Sequence, residues 1–419
     1  MAQLHKKFVD SQVKELFLRY LKKEVERKYI QEILGIRKSR FFALANKFRE
    51  NPDGFSIQYQ RETAPHEISR DIEENIHKEL SFEKKLIQDP NIRLYSYNYS
   101  YIKDLLLKEY NQKVSLPTII DRAKKYGFWF HIAERKAHDR EILTNYAGEL
   151  IQHDSSYHQW SPYASEKWYM ITSIDDYSRF MFFAKLVKKE TSWEHIKAME
   201  ATFLKYGLPS SIYVDSHSIF RFVQGRDSIW REHRVLTDQA PTQWEQVLSD
   251  CGVKVVHALS PQAKGKVERP YQWLQDRLVR TCAREGVKDI GQAHRILSQE
   301  LSRYNYHQVH STTQEVPHIR LKTALQDNKS LFRKFEVKPP FQSSKDIFCL
   351  RFKRTTDAYR KVSFNTLEFR LNADPDKVVD LRIYRLNPSF SEIRFWYKAA
   401  LIGIQQVKNL DLDLSTFNS

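Results

Sequence analysis

Three acidic residues in the middle of the chain stand where predicted strands end or a predicted helix begins. Asp154 ends the first strand predicted in this region, Asp215 ends the fourth, and Glu268 lies near the start of the helix after the fifth. Three carboxylates at one place repel one another and raise each other's pKa unless a cation compensates. Hard divalent ions take oxygen ligands and leave positions open for phosphate groups. Two such ions, roughly 3.5–4 Å apart, clamp the oxygens of an in-line phosphoryl transfer, so we predict a site for two Mg²⁺ (or Mn²⁺) ions.

Predicted strands and helices alternate over residues 146–310 in the order β-β-β-α-β-α-β-α. The strands are GELIQHD, KWYMITSID, RFMFFAKLV, SSIYVD and GVKVVHAL, and capping boxes open the two helices that follow the third and fourth strands. This order is typical of an RNase H-like fold, in which the first and fourth strands are neighbours. Their carboxyl ends would bring Asp154 and Asp215 together, and the start of the last helix would place Glu268 across them.

Other polar residues compete for roles at this site. Any single acid among the 52 Asp and Glu residues is most often a surface charge. Asp175 and Asp176 are rival candidates for the first ligand, although their place at a hairpin turn favours capping of that turn. His158 and Trp160 either line the site or form a partly buried aromatic pair, and His217 is equally ambiguous.

The stretch LSPQAKGKVERPYQWLQDRL combines a loop with the start of a basic helix. Pro270 lacks an N–H and restricts the helix start, which we expect near residues 266–267. Glu268 then lies at the edge of an apolar stripe that faces the core. The stripe consists of Val267, Tyr271, Leu274 and Leu278. We predict that Lys264, Lys266 and Arg269 hold DNA near the scissile phosphate, the alternative being a solvated helix start.

The composition restricts the class of protein. The chain has 419 residues and a formal net charge of +16. Its length predicts roughly two to four domains. Its charge predicts a polyanionic partner, most commonly a nucleic acid, although a basic surface that binds nothing would give the same count. The three cysteines are far apart, which disfavours a disulfide scaffold or a structural zinc site.

The sequence also bears on location. It contains no apolar run near the ~18–20 residues of a membrane span, and the N-terminus lacks the apolar core of a signal peptide. We expect a protein of the reducing cytoplasm, associated with the nucleoid, with DNA as its partner and no membrane.

Basic helical segments precede the α/β region. Residues 1–57 read as helix, a break at Gly35, and a basic helix, which is the pattern of a helix-turn-helix domain. The residues predicted to meet bases and phosphates are Arg37, Lys38, Ser39 and Arg40. A plain helical bundle with a basic face is the alternative.

Residues 58–92 are predicted to be a linker containing a helix. Residues 93–143 are predicted to be a second helix-turn-helix domain, in which Arg122, Lys124 and Lys125 face outward.

The C-terminal region changes to short strands after a Pro-Pro pair. Five of them, separated by turn residues, predict a small β-barrel over residues 341–407, followed by a tail at 408–419. The predicted fold is therefore multidomain α+β, with N-terminal helix-turn-helix domains, an RNase H-like α/β catalytic core at 144–320 and a C-terminal small β-barrel.

Several motifs carry a family resemblance. GELIQHDSSYHQW, ITSIDDYSRF, IYVDSHSIFR and HALSPQAKGKVERPYQWLQDRLVR resemble those of DDE transposases with a retroviral-integrase-type core, and they are most like the insertion-sequence group called ISNCY. YNYHQVHSTTQEVP resembles the tail of such cores. The resemblance covers about residues 146–310 and implies that Asp154, Asp215 and Glu268 are the catalytic triad. Their separations of 61 and 53 residues are in the expected range.

The chain also departs from that pattern. Ser155-Ser156 stands where Gly-Ser is expected, Pro270 replaces a residue that favours a helix, and VDSHSIF differs from the Asp-Asn-Gly of retroviral integrases. No zinc-binding His-His-Cys-Cys domain precedes the core. None of these departures removes a carboxylate, but Pro270 bears on the geometry around Glu268.

The resemblance implies a cut-and-join reaction on DNA. Water attacks the phosphodiester at an element end and frees a 3′-OH, and this 3′-OH then attacks target DNA at the same site. Joining two ends to one target requires a homo-oligomer, a dimer or tetramer on DNA. A requirement for an accessory ATPase stays open. The alternatives are a transposase-derived regulator that binds DNA without cutting it and a plain metal-dependent nuclease.

Overall fold

The computed structural model describes residues 4, 7–58, 68–130, 144–215, 217–220, 241–257 and 265–414; over 265–270 it describes the backbone but not the side chains. The predicted contact residue Lys264 lies outside these ranges. The chain divides into two compact units, Met1–Glu73 and Glu74–Ser419.

The described part of the first unit contains three helices up to residue 58. They are α1 (Asp10–Leu21), α2 (Arg27–Leu34) and α3 (Lys38–Glu50). Phe17 of α1 lies at the centre of the core, with ring centroids 5.4 Å from Phe41 and 6.1 Å from Phe48. Gly35 ends α2 at φ 62°, a left-handed conformation that glycine adopts at little cost, so the chain turns directly into the basic helix α3. The three helices agree with the predicted ones, and the assignment as helix-turn-helix stays a prediction.

Among the described residues, three more helices precede the α/β region, and the first of them crosses the boundary between Glu73 and Glu74. They are α4 (Arg70–Gln88), α5 (Tyr99–Tyr110) and α6 (Leu116–Lys125). Asn98 caps α5 and Ser115 caps α6, each side chain accepting a hydrogen bond from the backbone N–H three residues later. The helix predicted within 58–92 is α4, and its buried face includes two glutamates. The second helix-turn-helix assignment for 93–143 stays a prediction.

A five-stranded mixed sheet forms the centre of the second unit. Its strands are β1 (Leu150–His158), β2 (Trp168–Asp175), β3 (Met181–Val187), β4 (Ser211–Val214) and β5 (Lys254–His257). The strand order is β3-β2-β1-β4-β5, with β1, β2 and β3 antiparallel and β4 and β5 parallel to β1. This order confirms the mixed α/β core and the prediction that the first and fourth strands are neighbours.

Helices cover both faces of this sheet. They are α7 (Ser192–Tyr206), α8 (Gln243–Asp250), α9 (Gly265–Arg284), α10 (Ile290–Tyr306) and α11 (Pro317–Gln326). One face packs against α7 and α8, and the other packs against α9 and α10. The α9 side chains Tyr271, Leu274 and Leu278 are all buried there, which confirms the described part of the predicted apolar stripe.

The first strand is longer than predicted. Asp154 is the fifth of nine residues in β1 and does not end the strand. Pairing with β4 stops at Gln152, but pairing with β2 continues to His158 opposite Trp168. The antiparallel partner therefore sets the length of β1, and the sequence SSYH extends the strand although it is not an alternating apolar run.

The C-terminal region contains six strands and a short helix. They are β6 (Leu350–Thr355), β7 (Lys361–Phe364), β8 (Leu367–Arg370), β9 (Val378–Arg385), β10 (Phe390–Tyr397), β11 (Ala400–Lys408) and α12 (Asn409–Leu412). Four strands form an antiparallel sheet in the order β11-β10-β9-β6, and β7 pairs only with β8. Within residues 341–407 the sheets are thus not closed, and the predicted barrel is not confirmed. The sequence also missed β11, whose pattern is interrupted by Gly403 and two glutamines.

Two further findings concern the chain as a whole. None of the helices in the described ranges is long and apolar enough to cross a membrane. The cysteines Cys251, Cys282 and Cys349 are buried thiols and form no disulfide.

Candidate active site

The register of two parallel strands brings two of the predicted catalytic acids together. The pairing of β1 with β4 aligns Leu150 with Ser211 and Gln152 with Tyr213. The same register, continued by two residues, aligns Asp154 with Asp215. Neighbouring strands lie about 4.8 Å apart, and both aspartates are half-buried. Asp154 and Asp215 therefore occupy corresponding positions at one edge of the sheet.

A tyrosine on α9 connects that helix to the same edge. Thr172 lies opposite Asp154 in the pairing of β1 with β2. The Thr172 hydroxyl donates a 2.8 Å hydrogen bond to the Tyr271 hydroxyl, which donates in turn to the Met170 carbonyl at 3.3 Å. Tyr271 is buried, so these two hydrogen bonds fix the position of α9 along β2.

The surroundings of Tyr271 keep its hydroxyl neutral. Burial raises the pKa of Tyr271 well above its ordinary value, and the negative charge of Asp154 raises it further, with smaller contributions from Glu190 and Asp215. A neutral hydroxyl accepts from Thr172 and donates to Met170, so both hydrogen bonds that hold α9 against β2 are kept at neutral pH.

Glu268 itself is the fourth residue of α9. It precedes Tyr271 by three positions, so the two residues share a helix face. The positive end of the helix dipole favours a carboxylate in the first turn. The helix starts at Gly265, one residue before the expected start, and includes Pro270 as its sixth residue. The side chain of Glu268 lies outside the described residues, as do those of Lys266 and Arg269.

The rival aspartates have structural partners. Asp175 is buried and accepts hydrogen bonds from the backbone N–H groups of Gly148 and Ser178 and from the Ser178 hydroxyl, at 2.9, 2.8 and 2.6 Å. Burial raises the pKa of Asp175 to about 6, against these hydrogen bonds, which lower it. Asp176 forms a buried ion pair with Arg179 at 3.1 Å. Both acids hold the β2–β3 turn together, which confirms the capping interpretation.

The aromatic pair near Asp154 belongs to the core. Trp160 is buried, its ring centroid lies 5.3 Å from that of His158, and its Nε1 donates to the carbonyl of Ser156. Burial lowers the pKa of His158, and Arg93 and Lys167 lower it further. His217 is exposed, and its backbone N–H donates to Asp215 Oδ1 at 3.0 Å. These contacts favour the structural interpretation of His158 and Trp160.

One further carboxylate beside this edge, that of Glu190, was missed by the sequence analysis. Glu190 lies between β3 and α7, and its carboxylate accepts a hydrogen bond from Ser155, the residue after Asp154. In the sequence it stands in the polar run KKET and reads as a loop charge before a helix cap. Only the packing of α7 against β1 gives it a partner at the site.

The side chains at this edge suit a hard divalent ion. Asp154 and Asp215, in and just after neighbouring strands, offer carboxylate oxygens, and oxygen is the ligand that Mg²⁺ and Mn²⁺ prefer. Within the part of the chain that the structure describes, no group of three or more His, Cys, Asp or Glu side chains is placed to hold a metal ion. The third carboxylate predicted from the sequence, that of Glu268, is outside that part.

Comparison with known proteins adds a relationship to this geometry. No family model matches the chain. It is 29% identical over 193 residues to a putative transposase, y4bF, of Sinorhizobium fredii, a match that covers 46% of this chain and 40% of that protein. It is 29% identical over 171 residues to the transposase for insertion sequence IS1202 of Streptococcus pneumoniae, covering 41% of this chain and 35% of that one. The chain is similar to insertion-sequence transposases.

The two transposase matches cover only part of each protein. The chain spans less than half the length of these two transposases. Among solved structures, the catalytic core domain of BIV integrase matches 43% of this chain and 99% of its own length, at 17% identity and a TM-score of 0.30.

The predicted DNA-contact residues of the two helical segments lie at accessible positions. Arg37 is the N-cap of α3, followed by Lys38 and Ser39; all three are exposed and Arg40 is half-buried. Near the end of α6, Lys124 and Lys125 are exposed and Arg122 is half-buried. Lys124 lies 5.5 Å from the ring centroid of Trp129. These positions are compatible with contact to phosphates, and the DNA-binding role stays a prediction.

Proposed function

We propose that the protein is a DNA transposase that cuts the ends of its element and joins the freed 3′-OH to target DNA. The observation that carries this proposal is the β1–β4 register, which pairs Gln152 with Tyr213 and, extended by two residues, would set Asp154 beside Asp215. The helix that carries Glu268 is hydrogen-bonded to the same edge through Tyr271 and Thr172. Similarity to two transposases supports DNA as the substrate.

In this proposal Asp154, Asp215 and Glu268 are the catalytic acids and hold two Mg²⁺ or Mn²⁺ ions. When bound, such ions polarise the scissile phosphate and make water nucleophilic at neutral pH. The chain's own groups prepare the ligands. The backbone N–H of His217 fixes Asp215, and the N-terminus of α9 favours the ionised form of Glu268.

The remaining parts of the proposal concern DNA and assembly. The segments α1–α3 and α5–α6 act as helix-turn-helix domains that read the element ends, with the basic residues at the start of α3 and the end of α6 on phosphates. Lys264, Lys266 and Arg269 hold the strand beside the catalytic acids. Two ends are joined to one target by a dimer or tetramer. The element belongs to the ISNCY-type group, and the protein acts at the nucleoid.

A cleavage and joining assay tests the proposal. The substrate is DNA that carries the inverted repeats flanking the gene, and the variants are Asp154→Asn, Asp215→Asn and Glu268→Gln. Loss of several kcal/mol of transition-state stabilisation predicts a fall in cleavage rate of about a thousandfold in each. Glu166→Gln is the matched control, because Glu166 is half-exposed and forms a surface ion pair with the exposed Lys188.

The products separate the alternatives. Joined products support a transposase, and nicks without joining support a plain nuclease. Specific binding without any cleavage by the wild type supports a regulator. Unchanged cleavage in the Glu268→Gln variant would remove that residue from the catalytic set.

A further inference from the structure

A chain of buried hydrogen bonds runs from the start of α7 to the strands beside the two aspartates. His195 Nε2 lies 2.9 Å from Glu190 Oε1, and His195 Nδ1 lies 2.7 Å from His153 Nε2. His153 Nδ1 lies 2.9 Å from the Ser173 hydroxyl. Both imidazoles and Ser173 are buried. We refer to Glu190, His195, His153 and Ser173 as the Glu190 chain.

The charge of Glu190 sets the direction of its bond with His195. Burial opposes ionisation of Glu190, but hydrogen bonds from His195 and Ser155 outweigh it and lower its pKa. A carboxylate only accepts, so His195 Nε2 donates. The other ring nitrogen of His195 then faces His153, and Glu190 thereby orients both imidazoles.

The same carboxylate supports both residues that flank Asp154. Ser155 donates directly to Glu190 Oε1, and His153 is connected to Glu190 through His195. Side chains alternate along a strand, so His153 and Ser155 point to one face of β1 and Asp154 to the other. Two fixed neighbours on one face restrict the backbone that aims Asp154.

Phe220, which follows Asp215 in the chain, packs against the same two histidines. Phe220 is buried, and its ring centroid lies 4.9 Å from His195 and 5.6 Å from His153. Trp244 stacks on His153 at 5.8 Å with an interplanar angle of 12°. Phe220, five residues after Asp215, is therefore packed against the imidazoles that Glu190 orients.

We infer that Glu190 is a positioning residue that aligns the Asp154 and Asp215 segments through the buried histidines. The inference rests on the proposed phosphoryl-transfer function. Ligands of a metal site must be held within about 0.5 Å of the productive geometry. Residues that support metal ligands in this way typically change metal affinity or activity by about 10–100-fold when they are removed.

The first arm of the test measures histidine tautomers and does not depend on activity. Nitrogen-15 spectra of the full-length protein, labelled at histidine, are compared among the wild type, Glu190→Gln and Glu190→Ala. Glutamine keeps an acceptor for His195, whereas alanine removes it. We expect the ring-nitrogen shifts of His195 and His153 to be alike in the wild type and the Gln variant, and those of His195 to change in the Ala variant, because its hydrogen-bond acceptor is gone. Unchanged His195 shifts in Glu190→Ala would overturn the inference.

The second arm measures Mn²⁺ affinity by titration calorimetry and the Mn²⁺ concentration for half-maximal cleavage. We expect a tenfold or larger loss of affinity in Glu190→Ala, with recovery to within about threefold in Glu190→Gln. Glu166→Ala is the control, because it removes a half-exposed glutamate elsewhere on the core. A wild type that binds Mn²⁺ and cuts, together with equal Mn²⁺ affinity in Glu190→Ala, would overturn the positioning role alone. A wild type that neither binds Mn²⁺ nor cuts would overturn the proposed function and the inference together.

Discussion

The two halves of α9 are held in place by different kinds of interaction. Its N-terminal half is fixed to a strand by a neutral hydrogen bond from Thr172 to Tyr271, and a second neutral bond, from Gln275 to Ser156, follows just past the middle of the helix. Its C-terminal half is fixed to other helices by charged pairs of Arg277 and Arg280. The helix is thus strongly bonded where it contacts the α4–α5 region and more weakly bonded where it presents the candidate catalytic end.

The charged half of α9 contacts three other helices. Arg277 pairs with Asp104 of α5 at 2.7 Å and with Glu300 of α10 at 2.8 Å. Arg280 pairs with Glu83 of α4, and both side chains are completely buried. Groups desolvated in this way depend on their partners, because an uncompensated buried charge is costly. The α4–α5 region is thereby attached to the helix that carries Glu268.

Substitution of Arg280 tests the charged, C-terminal half of α9. Arg280→Met leaves Glu83 buried without its main partner, which predicts a loss of about 3–5 kcal/mol in the free energy of unfolding. Urea denaturation of the full-length protein measures this loss. The double variant Arg280→Met, Glu83→Met replaces the pair by apolar side chains and should recover most of it. A loss below about 1 kcal/mol in the single variant would contradict the contrast between the two halves.

Glu83 also makes the stability of the protein depend on pH. Burial raises the pKa of Glu83 to about 7 from 4.5, against Arg280 and Arg284, which lower it. Between these two values the folded protein holds a proton that the unfolded chain has released. The contribution of Glu83 to stability therefore increases as the pH falls from 7 toward 4.5, by at most about 1.4 kcal/mol per pH unit.

The variant Glu83→Gln isolates that contribution. We expect the stability of the wild type relative to Glu83→Gln to rise between pH 7.5 and pH 5.5 in urea denaturation. Titration of His153 and other groups occurs in both proteins and cancels in the difference. A difference independent of pH would show that Glu83 is ionised throughout this range.

More of the core's strand order and apolar positions could be predicted from the sequence than of the side-chain contacts that stabilise it. The order of strands and helices sufficed to place β1 beside β4. The apolar spacing on α9 was enough to identify Tyr271 and Leu274 as core residues. Both inferences use local periodicity and topology, which a single sequence contains.

The remaining contacts depend on residues distant in the chain. Glu83 reads as a surface charge on a polar helix until Arg280, 197 residues later, is packed against it. His153 and His195 read as isolated histidines until α7 is placed on β1. The full length of β1 likewise depends on its pairing with β2. Side-chain pairing between elements has no local signature, so these features required the structure.

The N-terminal half of α9 is tested by Tyr271→Phe, the variant with the smallest expected effect on stability. Tyr271→Phe removes one hydroxyl and leaves the Thr172 hydroxyl and the Met170 carbonyl without it. The expected loss is about 1 kcal/mol in the free energy of unfolding, measured by urea denaturation. In the proposed transposase, cleavage should fall with it, because the turn that carries Glu268 is less well fixed. A loss as large as that of Arg280→Met would remove the distinction between the two halves.

Tyr304→Phe on α10 is the matched control for that change. Tyr304 is also a buried tyrosine beside α9, 5.2 Å from Trp273 between ring centroids. Its hydroxyl has no hydrogen-bonding partner among the residues that the structure describes, so its removal eliminates a desolvated polar group and should leave stability unchanged or slightly higher. The difference between the two variants then measures the Tyr271–Thr172 bond itself, because both lose the same hydroxyl from the same apolar layer. Equal effects in both would mean that packing of the ring, and not this hydrogen bond, holds the N-terminal half of α9 against β2.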